Sequence, residues 1–444
     1  MHNDSLLMRR QHVLGPAYRL FYEEPLDPVR GEDVWLYDTQ GKAYLDCYNN
    51  VPSVGHAHPR VVHALWQQAA TLNTHTRYLH SGVVEYAENL AALFPEPLDT
   101  VMLTCTGSEA NDLALRIAHA ATGRRGVIVT EFAFHGTTLA MAEMSPSLRP
   151  VTAPHVRTVP APLTFGNQDR GEDVAERFAR DVHLAAQSLR ESGFEPAALV
   201  ADTVFASDGI LTEGRGVLSA GAQAIRQAGG LFIADEVQGG FGRTGHWWAF
   251  QREAGLVPDI VTLGKPMGGG HPMAGLVVQS PLAESFGRSQ RYFNTYGGNT
   301  VSAAVGKAVL NVIKDEGLRE RAQDVGLHLR ARLQRLQASH AAIGDVRGLG
   351  SYVGVELVAP DFPPRTPNAA LANFLVNELR RRGVLLSTSG RHHNVLKIRP
   401  PLTFQHQHAD RLVETLGQVL ADSACGIEGT VPGADKSSQR RRTF

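Results

Sequence analysis

The sequence predicts an α/β protein: a large domain on a mostly parallel sheet, followed by a smaller α+β domain. Three observations carry that reading. Strand-like apolar runs alternate with helical patterns from about residue 60 to 330, the pattern of a parallel sheet covered by helices on both faces. Runs such as Gly229–Ala234 and Ile260–Leu263 are apolar without alternation, as strands buried on both faces are. From about residue 331 to 425 the character changes to a helix followed by separated strands.

Along the chain, Val101–Thr104 is the first clear strand. It runs into Thr-Gly-Ser-Glu-Ala-Asn (106–111), which opens a helix with Ala110, Leu113, Ala114, Ile117, Ala118 and Ala121 as its apolar positions and Gly123 as its stop. Val127–Thr130, Ala198–Ala201, Leu231–Ala234 and Ile260–Thr262 are the next strands. Val301–Lys314 reads as a helix with Val301, Ala304, Val305, Ala308, Val309 and Val312 on one face. A helix over Leu327–Ala338 leads through Val346–Gly350 to a strand at Tyr352–Leu357 and another near Asn394–Ile398. The stretch Gly426–Phe444 holds glycine, serine, a proline and Arg440–Arg442 without periodicity, and predicts a disordered tail.

Composition narrows the function classes. With 444 residues and 43% hydrophobic content the chain can bury a large core. A net charge of −1 gives no electrostatic reason to expect a nucleic acid or a membrane surface as partner. The N-terminus lacks the apolar stretch of a signal peptide, and no apolar run is long enough to span a bilayer. Cys47, Cys105 and Cys425 are too few and too scattered for a disulfide framework, which fits a reducing cytoplasm. The pairs His56/His58, His392/His393 and His406/His408 lack ligand partners at metal-site spacing, so no metal is expected.

The most informative residue is Lys265, in Pro-Asp-Ile-Val-Thr-Leu-Gly-Lys-Pro-Met-Gly-Gly-Gly (258–270). The preceding strand delivers it at a strand end, and Gly264 and Gly268–Gly270 remove side chains around it. A lysine in an apolar turn loses its charge easily and can act as an amine nucleophile; alone, it would read as a surface lysine.

Asp235 changes the weighing. It ends the buried run at its carboxyl end, the edge of an open α/β sheet where ligands bind. A carboxylate there needs a cationic partner, and an Asp paired to a pyridinium nitrogen together with a Schiff-base lysine is the pyridoxal phosphate arrangement. The N–H groups of Gly107, Ser108 and Glu109 at a helix start form an anion site, although Ser108 also reads as an ordinary helix cap.

These residues, with Phe134-His135-Gly136, Gln238 and Asn294–Asn299, resemble the class III (ω-amino) aminotransferase family of fold type I pyridoxal phosphate enzymes, from about Trp35 to about Phe404. The resemblance implies a sheet of the seven-stranded type in a large domain at 60–330. It implies a small domain assembled from 1–59 and 331–425. Lys265 would hold the cofactor as a Schiff base and Asp235 would pair with its pyridine nitrogen. Gly107 and Ser108 would hold its phosphate, Phe134 would stack on its ring beside His135, and Gln238 would reach the ring hydroxyl. Thr295 would reach the cofactor of a neighbouring subunit, which implies a homodimer, or a tetramer of such dimers, with shared sites.

Residues 46–59, 72–80 and 394–401 look like the branch that contains the ethanolamine-phosphate and hydroxylysine-phosphate phospholyases. Asn50, Arg77 and Arg399 are the donors expected on the substrate side for an anionic group on a small primary amine. The expected reaction is elimination of phosphate to an aldehyde plus ammonia. Transfer of the amine to pyruvate or another keto acid stays open, because an arginine in the Arg399 motif also suits a keto-acid carboxylate; so does loss of ammonia from an aminohydroxyphosphonate. Asp202 (usually Glu in the family), Gly269 (usually Asn) and Thr300 (usually Pro) depart from the family pattern.

Overall fold

The computed structural model describes residues 2–148, 153–163, 173–359 and 366–427. Its central sheet has seven strands in the order Leu98–Thr104, Ala274–Gln279, Ile260–Leu263, Leu231–Asp235, Pro196–Asp202, Gly126–Thr130, Val156–Val159. The last five run parallel. Ala274–Gln279 is antiparallel to both of its neighbours. Its run Ala-Gly-Leu-Val-Val is short and uniformly apolar, and nothing in it marks its direction. The strand at Val156–Val159 is likewise an addition to the five expected ones.

Side-chain alternation assigns the two faces of this sheet. Ile128, Leu199, Phe232, Val261 and Val277 pack with the helices Val174–Glu191, Val217–Gln227 and Thr300–Asp315. Val129, Val200, Ile233, Ile260 and Leu276 face the helix Gly107–Thr122 on the other side. The result is three layers, with each fully buried aliphatic side chain stabilising the fold by roughly 1.5–3 kcal/mol. In the helix Gly107–Thr122 the residues Ala110, Leu113, Ala114, Ile117 and Ala118 are buried, whereas Ala121 is exposed at the C-terminal end. The helix Thr300–Asp315 buries Leu310 and Ile313 besides the expected valines, while Ala304 and Ala308 are half-buried. It packs against two other helices, Pro59–Thr71 and Ser81–Ala91, as well as the sheet, so its apolar arc is wider than one stripe.

Two smaller sheets complete the chain. Ile343–Leu349, Tyr352–Leu357, Val395–Ile398 and Ser387–Ser389 form an antiparallel one. Pro28–Glu32, Trp35–Asp38 and Ala43–Asp46 form the other, closed by a parallel pairing of Ala43–Asp46 with Val384–Leu385. N-terminal and C-terminal segments therefore share one sheet. The helix expected over Leu327–Ala338 extends over Leu318–Ser339. Leu318 and Ala322 belong to the large core, and Leu329 and Leu333 to the small one. One continuous helix thus crosses the boundary expected at residue 330.

The final helix runs through Ile427, so Gly426 and Ile427, expected in the tail, are helical. The rest of that stretch, with Arg440–Arg442, lies outside the described residues. Among the described residues no helix is long and apolar enough to cross a membrane, and no three His, Cys, Asp or Glu side chains gather as a metal site.

Candidate active site

The five parallel strands end at one edge, and the functional side chains leave from that edge. Leu231–Asp235 ends in Asp235 and Pro196–Asp202 in Asp202. Ile260–Leu263 leads through Gly264 to Lys265. Gly107, Ser108, Phe134, His135, Asp235, Gln238 and Lys265 line one cleft together with Asn111.

One end of the cleft is the first turn of Gly107–Thr122. Its N-cap is Thr106: the Thr106 hydroxyl accepts from Glu109 N at 3.2 Å, and Glu109 Oε2 accepts from Thr106 N at 2.9 Å. Ser108, read from sequence as a possible cap, lies inside the turn, and its hydroxyl accepts from Thr137 N at 3.1 Å. First-turn N–H groups have no partner within the helix, so those of Gly107 and Ser108 point at the cleft with the helix dipole behind them.

Two glycines make the close approaches possible. Gly136 has φ +142, and a Cβ there would sit 2.6 Å from Ser108 Oγ. A Cβ on Gly264 would lie 3.1 Å from Val237 and 3.3 Å from the Cα of Gly107. The phosphate-type cradle and the lysine turn are thus packed backbone against backbone. Gly268–Gly270 do not wall the lysine as expected. Gly269 instead faces Val309, with Val54 and Val61 beyond it.

Lys265 is half-buried at the floor of the cleft. Loss of water pushes its amine below the usual lysine range, Arg399 pushes further, and Asp235 and Asp202 oppose. Asp235 is buried, with Oδ2 accepting from Asn111 Nδ2 at 2.9 Å and Oδ1 from Val237 N at 3.0 Å. His135 Nδ1 lies 2.7 Å from Asp235 Oδ2. A carboxylate acceptor at that distance assigns the ring proton to Nδ1.

The donor set fits pyridoxal phosphate: an amine for its carbonyl, a carboxylate for its ring nitrogen, helix-start amides for its phosphate, and Phe134 beside the space for its ring. Among the described residues the buried His135 Nε2 has no partner.

The C-terminal strands reach the cleft through its lining residue Gln238. Arg399 is buried; its Nε donates to Tyr48 O at 3.0 Å and its Nη1 to Gln238 Oε1. Gln238 Oε1 also accepts from the Tyr352 hydroxyl at 3.1 Å, and Gln238 Nε2 donates to Asp202 Oδ2 at 3.3 Å. Asp202 accepts from the N–H groups of Val204 and Ala206 in its own loop as well. Burial, and then the nearby charge of Asp235, raises its pKa. Lys397 is buried beside them, and dehydration, followed by Arg399, holds its amine well below the usual range. No described carboxylate forms an ion pair with Lys397, Arg399 or the buried Arg243.

Three of the expected residues stand elsewhere. Asn50 is buried, but its amide is committed: Nδ2 donates to Gln238 O at 3.0 Å and Oδ1 accepts from Arg243 Nε at 3.0 Å. Arg77 is exposed, with its guanidinium 3.7 Å from the centre of the Phe293 ring. Thr295 is exposed and does not line this chain's cleft.

Sequence reasoning passed over Lys397, Asn111, Thr262 and Tyr352. Lys397 had a legible signal. In Val395–Ile398 the apolar Leu396 and Ile398 enter the small core, so Lys397 and Arg399 share the other face by the two-residue period of a strand. Asn111 interrupts an otherwise apolar helix face, which is the mark of a buried polar group with a task.

The aminotransferase class-III family model matches residues 21–420. A solved phospholyase from Arthrobacter, in complex with phosphoethanolamine, superposes with a TM-score of 0.90 at 44% identity, covering 94% of this chain and 99% of that one. An alanine–glyoxylate aminotransferase 2-like protein of Drosophila melanogaster is 39% identical over 92% of this chain and 85% of its own length. Ethanolamine-phosphate phospho-lyase homolog 1 of Caenorhabditis elegans is 37% identical over 94% of this chain and 93% of its own.

Proposed function

We propose that this chain, which belongs to the aminotransferase class-III family, is a lyase that eliminates phosphate from O-phosphoethanolamine or a related phosphorylated amine. The family is pyridoxal phosphate-dependent. When bound, the cofactor supplies an electron sink conjugated to the substrate amine. The observation that carries the reading is the buried Arg399, which is held by the Tyr48 carbonyl and Gln238 and by no described carboxylate ion pair, with the buried amine of Lys397 two residues before it on the same strand face. A buried charge without a partner is costly, and a dianionic substrate group offsets that cost when it arrives. The likeness to a phospholyase crystallised with phosphoethanolamine supports the same reading.

Each residue then has a task. Lys265, kept easily deprotonated by its surroundings, takes the proton from the carbon next to the substrate nitrogen. Asp235 holds a proton on the ring nitrogen of the cofactor. Arg399 and Lys397 orient the phosphate, so that the carbon–oxygen bond breaks with its electron pair leaving on phosphate. Water then releases the remaining two-carbon unit as aldehyde and ammonia. Asn50 acts through Gln238 and Arg243 in this scheme and does not touch the substrate.

Arg77 and Thr295 belong to a second proposal, a homodimer with shared sites, in which tetramers are pairs of dimers. Arg77 stacks on Phe293, two residues from Thr295, and Tyr78, Leu79 and Tyr296 are apolar and exposed around them. Exposed large side chains on the segments that carry Arg77 and Thr295 suit a subunit interface, which would carry Arg77 and Thr295 together to the partner's cleft. A cytoplasmic location is part of the same proposal, supported by cysteines too few and too scattered in the sequence for a disulfide framework.

The aminotransferase reading is favoured by one specific finding, the 39% identity to an aminotransferase 2-like protein. One assay separates the readings. Enzyme, cofactor and O-phosphoethanolamine are incubated without a keto acid. Equimolar acetaldehyde, ammonia and phosphate support the lyase. No product there, with amine transfer from an unphosphorylated amine to pyruvate, assigns the aminotransferase. Ammonia without phosphate from an aminohydroxyphosphonate assigns the ammonia-lyase.

A further inference from the structure

The carboxylate of Asp235 is not symmetrical in its surroundings. Oδ2 accepts from Asn111 Nδ2 at 2.9 Å and lies 2.7 Å from His135 Nδ1, whereas Oδ1 accepts from Val237 N alone at 3.0 Å. A carboxylate offers about four acceptor sites, so the protein fills Oδ2 and leaves one acceptor site on Oδ1, in a residue that lines the cleft.

Asn111 itself is buried, at 3% exposure, and every polar position of its amide is used. Its two Nδ2 protons go to Asp235 Oδ2 and to His135 O, the latter at 2.8 Å. Its Oδ1 accepts from the hydroxyl of Thr262 at 2.6 Å. Thr262 is wholly buried, and it stands on the strand that delivers Lys265. The bond order Thr262 to Asn111 to Asp235 admits one amide orientation. Turned over, the amide would put its oxygen against two acceptors, Asp235 Oδ2 and His135 O, so the NH2 faces them and the oxygen takes the Thr262 hydroxyl proton.

We propose that Asn111, anchored by Thr262, is a positioning residue for the cofactor: by holding Oδ2 of Asp235 it leaves Oδ1 for the pyridine nitrogen. Three elements that bind different parts of the cofactor meet at this amide. The helix Gly107–Thr122 carries the phosphate cradle, Leu231–Asp235 carries the ring-nitrogen partner, and Ile260–Leu263 leads to the amine. The amide therefore keeps the three contacts in mutual register. Its effect reaches the reaction only through Asp235, and it is independent of which amine the enzyme uses.

The test uses purified full-length Thr262→Val, Thr262→Ser and Asn111→Ala proteins. Thr262→Val keeps the shape and removes only the hydroxyl, so it serves even where Asn111→Ala does not fold. Affinity for pyridoxal phosphate is measured by reconstituting apoenzyme, and the pH midpoint of the bound cofactor's visible band by titration. Hydrogen bonds to a charged group are worth enough that Asn111→Ala should weaken cofactor binding about ten- to a hundredfold. Thr262→Val should weaken it less, both variants should shift the midpoint, and Thr262→Ser should restore wild-type values. Turnover should fall with little change in KM for the amine. If Thr262→Val and every folded Asn111 variant lose only thermal stability, with cofactor affinity and band midpoint unchanged, the positioning role is overturned.

Discussion

The guanidinium of Arg399 donates to Oε1 of Gln238, an oxygen that also accepts the Tyr352 hydroxyl at 3.1 Å. The cation is thus compensated by dipoles, namely Gln238, the Tyr48 carbonyl and the faces of Tyr48 and Tyr352, and by no described carboxylate. Such compensation is weaker than an ion pair and yields readily to an incoming anion. Asp202, the acidic group closest to this network, instead spends its oxygens on the N–H groups of its own loop and on Gln238 Nε2.

Removing that cation should therefore act on substrate binding. Arg399→Ala is expected to raise KM for a phosphorylated amine about ten- to a hundredfold, as the loss of a charge-assisted bond does. Lys397→Met should act in the same direction. Steady-state kinetics on paired phosphorylated and unphosphorylated amines check this, and an equal loss on both would remove the anion-binding role.

Lys265→Ala should abolish covalent attachment of the cofactor, because Lys265 is the lysine that lines the cleft together with Asp235 and the Gly107–Ser108 turn. Borohydride reduction followed by mass analysis of the chain is the check. Labelled cofactor on the variant would reassign the nucleophile.

Asp235→Asn should retain the protein fold and some bound cofactor but lose most activity, since a neutral amide cannot keep a proton on the ring nitrogen. The substitution also sets an NH2 or a weakened acceptor against Asn111 and His135, so cofactor affinity should fall with turnover. Near-native kcat in this variant would contradict the pairing.

Glu236 makes a stability prediction. It is wholly buried, its carboxylate accepts from Ala249 N at 2.9 Å and Phe250 N at 2.8 Å, and burial pushes its pKa from 4.5 up to about 7. An acid whose value is raised in the folded state favours folding most below its unfolded value, and that contribution is lost as pH rises through the folded one. Tm should accordingly fall between pH 4.5 and about 7, and Glu236→Gln should make that fall shallower. Thermal melts across the range check the slope; an unchanged slope would show that Glu236 does not titrate there.

The dimer proposal predicts a mass of twice 48.1 kDa, or a multiple of it, by light scattering at assay concentration. A fully active monomer would exclude shared sites. Added cofactor should raise Tm in proportion to its occupancy, because it binds the native state only.

The amino-acid sequence by itself determined the sheet class, the strand-end placement of Lys265 and Asp235, and the helix start at Gly107 and Ser108. These are local statements. A run of buried β-branched residues makes a strand wherever it packs, and a residue just past its end is at the sheet edge by construction. It left open which residue caps the helix, and the backbone settled on Thr106 because Glu109 closes the reciprocal bond three residues later. Tertiary structure alone decided the rest. The direction of Ala274–Gln279 follows from its two neighbours. The Asn111 amide reaches Asp235 across a separation of 124 residues, and Asn50 reaches Gln238 across 188. Short-range pattern fixes which face a side chain takes, but which partner meets it there depends on how layers far apart in the chain are stacked. That is why the strand-end positions of Lys265 and Asp235 could be read from the sequence, while the hydrogen-bonding groups around them, Asn111, Thr262 and Tyr352, could not.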